Sequence, residues 1–259
     1  MNEKLWIKVK FEASEVLSNE PMLSPIINRV ILNHNCLEQA IIYQLSHKIS
    51  SKDIANKVIK NILEEAYRAD DTLIKSTELD LLAVFDRDPA CVSLIHPILF
   101  FKGFIALQAY RISNWLWNEN RTNMAYFIQS QISEVFGIDI HPGAIIGNGI
   151  MIDHGHSIVI GETSVIGNNV SILHSVTLGG TGKEDQKRHP TIEDGVLLGA
   201  GAKILGDIKI GFCSKIASGS VVLQSIPPQK TAAGVPAKVV GDTGCSEPSV
   251  TMDQLLRNI

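Results

Sequence analysis

The chain has few cysteines: Cys36, Cys91, Cys213 and Cys245 are scattered through 259 residues with no CxxC pair. That leaves neither a disulfide framework nor a zinc knuckle to hold the chain, and it fits a reducing, cytoplasmic setting. Long apolar runs are missing too. The most apolar stretch, VSLIHPILFFKGFIALQA, is interrupted by His96, Pro97 and Lys102, and the opening MNEKLWIKVKFE lacks the charged-then-apolar order of a signal peptide. Neither a membrane span nor an export signal is expected. There is no large excess of positive charge either: the formal net charge is −4, which argues against nucleic acid as a main partner. What remains is 45% hydrophobic and 19% charged residues, enough to bury a sizeable core in one large domain or two ordinary ones.

Up to about Phe136 the apolar spacing is helical. Ile54, Val58, Ile62 and Ala66 fall on one face, joined by Ile59 and Leu63, behind a capping signal at Ser50-Ser51. Ser24-Pro25 opens another helix, Ser76-Thr77-Glu78 a third that must stop near Pro89, and residues 98–117 and 122–136 read as two more. This half is expected to be an all-α domain over residues 1–137, its apolar stripes serving to pack helix on helix.

From Ile140 the period becomes six. Aliphatic residues fall at Ile140, Ile146 and Ile152, slip by two to Ile160, and continue at Ile166, Ile172 and Leu178. They resume at Ile192, Leu198, Ile204, Ile210, Ile216 and Val222, many followed by glycine. Six residues make one short strand and its corner, three sides close a coil, and stacked coils bury one another's aliphatics. A parallel β-helix over 138–241 is expected, with a polar, period-free and mobile tail at 242–259.

The beat fails at DHGHS (153–157) and in a 14-residue interval between Leu178 and Ile192, where the chain reads GGTGKEDQKRHPT. Chemistry is sought where a local rule is broken. His154 lies one coil after Asp139, so a solenoid can set that carboxylate beside the imidazole, orienting it and raising its basicity as a general base requires. The competing reading is a polar corner with satisfied hydrogen bonds. A third reading gathers His154, His156, His174 and His189 around zinc across a trimer interface. Loop 183–189 carries Lys183, Lys187, Arg188 and His189. From Leu178 to Gly241 there are eight Lys/Arg against five Asp/Glu, which suits an anionic ligand or a merely solvated loop. GGTG and GAGA allow a ligand close to the backbone, and Asp88 in RDPA follows a helix.

With these residues in view, the chain resembles the serine O-acetyltransferases. The likeness runs through EPML (20–23), EEAY (64–67), RDPA (87–90), KGFIALQAYRISNWLW (102–117), DIHPGAIIG (139–147), SVTLGGTGK (175–183), RHP (188–190), GAGAKILG (199–206), SGSVVLQ (218–224) and AAGVPAKVVG (232–241). The resemblance implies an α+β fold, an all-α N-terminal domain followed by a left-handed parallel β-helix of hexapeptide repeats, against the usual right-handed crossover rule. It implies trimers paired into a hexamer, and acetyl transfer from acetyl-CoA, as co-substrate, to L-serine. By position it makes His154 the general base and Asp139 its orienting partner. Asp88 and Asp153 become anchors of the substrate ammonium, and Arg188 and His189 binders of its carboxylate and transition state. CoA would lie along Gly180, Ala200 and Gly201, with Lys215 and Lys238 at its phosphates. No metal is implied. L-cysteine is implied as a feedback inhibitor, and the C-terminal Ile259 as a ligand for O-acetylserine sulfhydrylase. One departure stands out: Gly155-His156-Ser157 replace the Ala-Thr-Gly expected after Asp-His. The rival readings are a zinc hydratase resembling the gamma carbonic anhydrases and another small-molecule acetyltransferase on the same scaffold.

Overall fold

The structure is a computed structural model that describes residues 3–182 and 186–256. Helices come first: α1 (Glu3–Asn19), α2 (Ser24–Ile27, continued by a π turn to Leu32), α3 (Leu37–Ile49), α4 (Asn56–Ala69), α5 (Thr72–Arg87), α6 (Ile95–Leu99), α7 (Lys102–Asn118) and α8 (Thr122–Phe136). α1 buries Leu5, Trp6, Val9 and Ala13, and α4 buries Ile59, Ile62, Leu63 and Ala66. α7 is buried almost all round, as befits a helix that packs on α3, α4, α5, α6, α8 and the first coil.

Three helix limits differ from expectation for local reasons. α4 starts at Asn56 because the Ser51 hydroxyl spends itself on the Asp53 and Ile54 amides (3.2 and 3.1 Å), and Val58 faces solvent. α5 starts at Thr72, whose amide and hydroxyl donate to Asp70 Oδ1 (2.8 and 2.6 Å). Ser76 and Thr77 lie inside it, their hydroxyls donating back to the Thr72 and Leu73 carbonyls. The expected helix over 98–117 is two, because the Phe100 and Phe101 amides both donate to the His96 carbonyl and Phe101 is extended.

Gly137, left-handed at φ 68°, ends α8 and turns the chain directly into the first strand. From there three parallel sheets wind as a β-solenoid. Ile140, Ile160, Leu178, Ile204 and Val222 stack in register on one side; Ile146, Ile166, Ile192 and Ile210 on the second; Ile152, Ile172, Leu198, Ile216 and Ala232 on the third. All are buried except Ile146, which is half-buried. Each fully buried aliphatic side chain contributes about 1.5–3 kcal/mol relative to exposure. Leu178 and Ile192 keep their places in adjacent sheets, and residues 181, 182 and 186 of the long interval between them are exposed.

An antiparallel hairpin, Lys230–Gly234 with Ala237–Asp242, closes the solenoid. The segment beyond it, expected to be mobile, packs back on the protein as far as it is described. α9 (Pro248–Thr251) lies against α5, the buried Ser249 carbonyl accepts from Ser171 Oγ (2.7 Å), and Lys215 Nζ donates to the Asp253 and Leu255 carbonyls (3.1 and 3.0 Å). Among the described residues no helix is long and apolar enough to cross a membrane.

α7 is fastened to the solenoid at both ends. At its far end Tyr110 donates to the Ala144 carbonyl, and Asn114 Nδ2 to Pro142 and Ala144 (2.8 and 3.1 Å). At its start Gly103 touches the chain just before DHGHS: a Cβ there would lie 2.3 Å from the Ile152 carbonyl oxygen. Backbone cannot give way as a side-chain tip can. Gly103→Ala is therefore expected to cost about 1–3 kcal/mol, read as a lower midpoint in thermal unfolding; an unchanged midpoint would show that α7 does not press on this corner.

Candidate active site

The corners that join the third sheet to the first stack in one column. DHGHS is the lowest, followed by 173–176, 199–202 and 217–220. Backbone bonds tie them: Ser175 N–H to His156 O (2.7 Å), Gly201 N–H to His174 O (2.9 Å) and Gly219 N–H to Ala200 O (2.8 Å). In the lowest corner His154, Gly155 and Ser157 are all left-handed, at φ 56°, 53° and 54°. Non-glycine residues in that region cost of order 1–3 kcal/mol each and gather at functional sites. The extra two residues of the slip thus form a strained turn that thrusts the His154 ring, 73% exposed, out of the solenoid.

His154 stands at a cleft of about 680 Å³ lined also by Asp88, Lys102, Asp153 and Met252. Its Nε2 is 3.8 Å from Asp153 Oδ2, and its ring meets that of His174 edge-on at 5.6 Å. Asp88 ends α5 half-buried, and its Oδ1 accepts the Ala90 amide (2.8 Å). A larger groove of about 780 Å³ lies on the second-to-third corner, among Glu193, Asp194, Phe212 and Val250. It contains no histidine and none of the candidate catalytic or ligand-binding residues, so the His154 cleft is the candidate site.

A second group of polar residues occupies the first-to-second corner. Arg188 is paired with Glu162, whose carboxyl the guanidinium holds below the usual range. His189 is buried, and its Nδ1 lies 3.2 Å from the Thr163 amide and 2.9 Å from the Thr163 hydroxyl. A backbone amide can only donate, so Nδ1 accepts and the neutral ring carries its proton on Nε2. That nitrogen rests on Gly161, where a Cβ would lie 2.1 Å away. Burial, then the charges of Arg188 and Lys187, lower the His189 pKa. Lys187, expected to be free for an anion, donates to the Thr163 and His189 carbonyls. Gly180 belongs here as well, against Arg188.

Within one chain these two groups stay apart, and the expected Asp139–His154 contact is not made among the described residues. The register explains it: Asp139 pairs with Val159, beyond the corner from His154, and its Oδ1 accepts from Gln129 Nε2 (2.6 Å). The four histidines proposed for zinc are likewise dispersed, His154 beside His174, His156 near Lys102, and His189 on the other corner. Among the described residues no cluster of three His, Cys, Asp or Glu side chains is placed to hold a metal. Ala200 and Gly201 lie on the His154 column, and Lys238 is exposed on the hairpin. Lys215 is buried under the C-terminal segment rather than free for a phosphate. Lys183 and Ile259 lie outside the described residues. Glu162 and Thr163 escaped sequence reasoning, yet coil arithmetic finds them: Val165 pairs with Thr191, and the same offset sets Glu162 on Arg188 and Thr163 on His189.

The comparisons with known proteins bear on the whole chain. Residues 5–109 match the family model described as serine acetyltransferase, N-terminal. A serine acetyltransferase of Escherichia coli K12 is 51% identical over 257 residues, covering 99% of this chain and 94% of that protein. The chain belongs to the serine acetyltransferase family. Among solved serine acetyltransferases, one in complex with cysteine superposes with a TM-score of 0.96 at 47% identity, covering 99% of this chain and 100% of its own. Another, from Brucella abortus in complex with coenzyme A, gives 0.90 at 44% identity, covering 93% of this chain and 96% of its own. The family includes both halves of the architecture, helical and solenoid, so a serine acetyltransferase is an acyltransferase built on the whole of this fold.

Proposed function

We infer that this chain transfers the acetyl group of acetyl-CoA to the hydroxyl of L-serine, giving O-acetyl-L-serine and CoA, the opening step of cysteine synthesis from serine. The observation that carries it is the exposed imidazole of His154, held on a left-handed turn at a cleft with two carboxylates, Asp88 and Asp153. A serine hydroxyl is a poor nucleophile until a base takes its proton. His154 takes that proton as the oxygen attacks the thioester carbonyl. The tetrahedral intermediate collapses, the C–S bond breaks, and the CoA thiolate leaves and is protonated. Asp88 and Asp153 hold the substrate ammonium in this reading.

Arg188, His189 and Gly180 lie on the other corner of the same chain and Asp139 on the first-sheet strand that leads toward that side, so they act on a neighbour's cleft in a trimer, where Asp139 orients that neighbour's imidazole. Trimers pair into a hexamer through the helical domains. CoA runs up the His154 column past Ala200 and Gly201 toward Lys238, and Lys215 joins it only if the segment around Asp253 moves aside. L-cysteine, with the same ammonium and carboxylate, competes for the site as a feedback inhibitor. O-acetylserine sulfhydrylase binds the C-terminal Ile259, and the enzyme works in the cytoplasm.

A thiol-release assay with acetyl-CoA and a panel of hydroxyl-bearing acceptors tests the reaction. Release is expected with L-serine and not with simple alcohols that lack the ammonium and carboxylate. Equal release with both would remove the assignment of serine as the acceptor.

A further inference from the structure

The His154 cleft contains two carboxylates and also two cations, Arg87 and Lys102. Opposite charges in one cleft attract one another. Arg87 is held: it donates to Ser171 Oγ and Asn169 Oδ1 (3.2 and 3.3 Å). Lys102, at the start of α7, is held by His156, with Nζ 3.0 Å from Nδ1. Among the described residues no lysine or arginine pairs with Asp88 or Asp153.

The Lys102 contact is specific in its chemistry. An ammonium has donors only, so Nδ1 of His156 is the acceptor and the ring is neutral, with its proton on Nε2. The ring is exposed, but the backbone that bears it is tied down: the His156 carbonyl accepts the Ser175 amide, and the next residue, Ser157, donates its amide to the Gly137 carbonyl (2.8 Å). The ring itself lies against Gly137, where a Cβ would come within 3.4 Å of Nδ1. Gly137 ends α8, and a helix C-terminus carries partial negative charge that favours a nearby cation.

We propose that His156 is a positioning residue that holds the Lys102 ammonium away from Asp88 and Asp153, keeping both carboxylates free for the ammonium of the amino-acid substrate. The proposal rests on the reading of Asp88 and Asp153 as ammonium anchors. Without His156, the flexible lysine stem lets Nζ swing to those carboxylates and compete with the substrate.

Steady-state kinetics of His156→Ala test it. KM for serine is expected to rise about two- to five-fold, the worth of a solvent-accessible ion pair, with kcat little changed. Lys102→Met in the same background is expected to restore the wild-type KM, a rescue that a merely structural role for His156 would not give. An unchanged KM in His156→Ala, or a raised KM that Lys102→Met does not restore, overturns the proposal. Asp88→Asn in the otherwise unaltered protein separates the two ideas: an unchanged serine KM there removes the anchor reading itself, whatever His156 does.

Discussion

His154→Asn should unfold at the wild-type temperature and turn over about 10²- to 10⁴-fold more slowly, the usual cost of losing a general base. Asparagine is the informative replacement because it tolerates the left-handed backbone found at φ 56°, whereas a β-branched residue would disturb the turn itself. The side chain is 73% exposed and contributes nothing to the aliphatic stack, so stability has no reason to fall with activity. The loss should appear in kcat more than in KM for serine, since Asp88 and Asp153, the proposed ammonium anchors, remain in place. Near-normal thiol release by the folded variant would take the base away from His154 and leave the corner a structural turn.

Asp80→Ala should be the most damaging single change to the fold, costing about 3–5 kcal/mol and lowering the melting midpoint by about 10 °C or more. Asp80 is fully buried, and its carboxylate serves two domains at once. Oδ2 accepts from Arg111 Nε and Nη2 (2.9 and 2.8 Å) and from Gln108 (3.0 Å), while Oδ1 accepts the Ile150 amide of the first coil (2.9 Å). Arg111 passes on to the Gly147 carbonyl (2.8 Å). Truncation strands a buried guanidinium and a buried amide together. Replacing both charges by apolar residues, Asp80→Leu with Arg111→Met, should recover part of the loss, because desolvating a pair costs nearly what the pair returns. Calorimetric melting of single and double variants decides between a stranded charge and a simple cavity, for which the second change would bring no recovery.

The solenoid was legible because its rule is one-dimensional: an aliphatic side chain every sixth residue must face the axis, and Ile140 through Val222 do so. DHGHS was legible as a breach of that rule. The helical half was harder to delimit, because a capping signal such as Ser76-Thr77 looks the same whether its hydroxyls serve amides ahead or carbonyls behind. Asp80 gave no warning at all, since a carboxylate inside LDLL declares neither its burial nor a partner thirty-one residues away. Asp139 and His154 are only fifteen residues apart, less than the twenty that the register sets between Ile138 and Ile158, so within one chain the imidazole stays on the preceding corner and Asp139 falls on Val159. Sequence periodicity locates residues along one chain, but it holds no information about which corner of a second chain faces them.

The column of corners above His154 has one more property. Each coil adds one interstrand spacing, about 4.8 Å, so the step from His174 to Gly201 to Gly219 is a graduated scale whose zero is the His154 imidazole. Inserting or excising a whole coil above Gly201 would lengthen or shorten that scale by one division without touching the turn at its foot. On the proposed path for CoA, the length of an extended thioester donor and the chemistry of its acceptor are thereby separable characters, open to change one at a time.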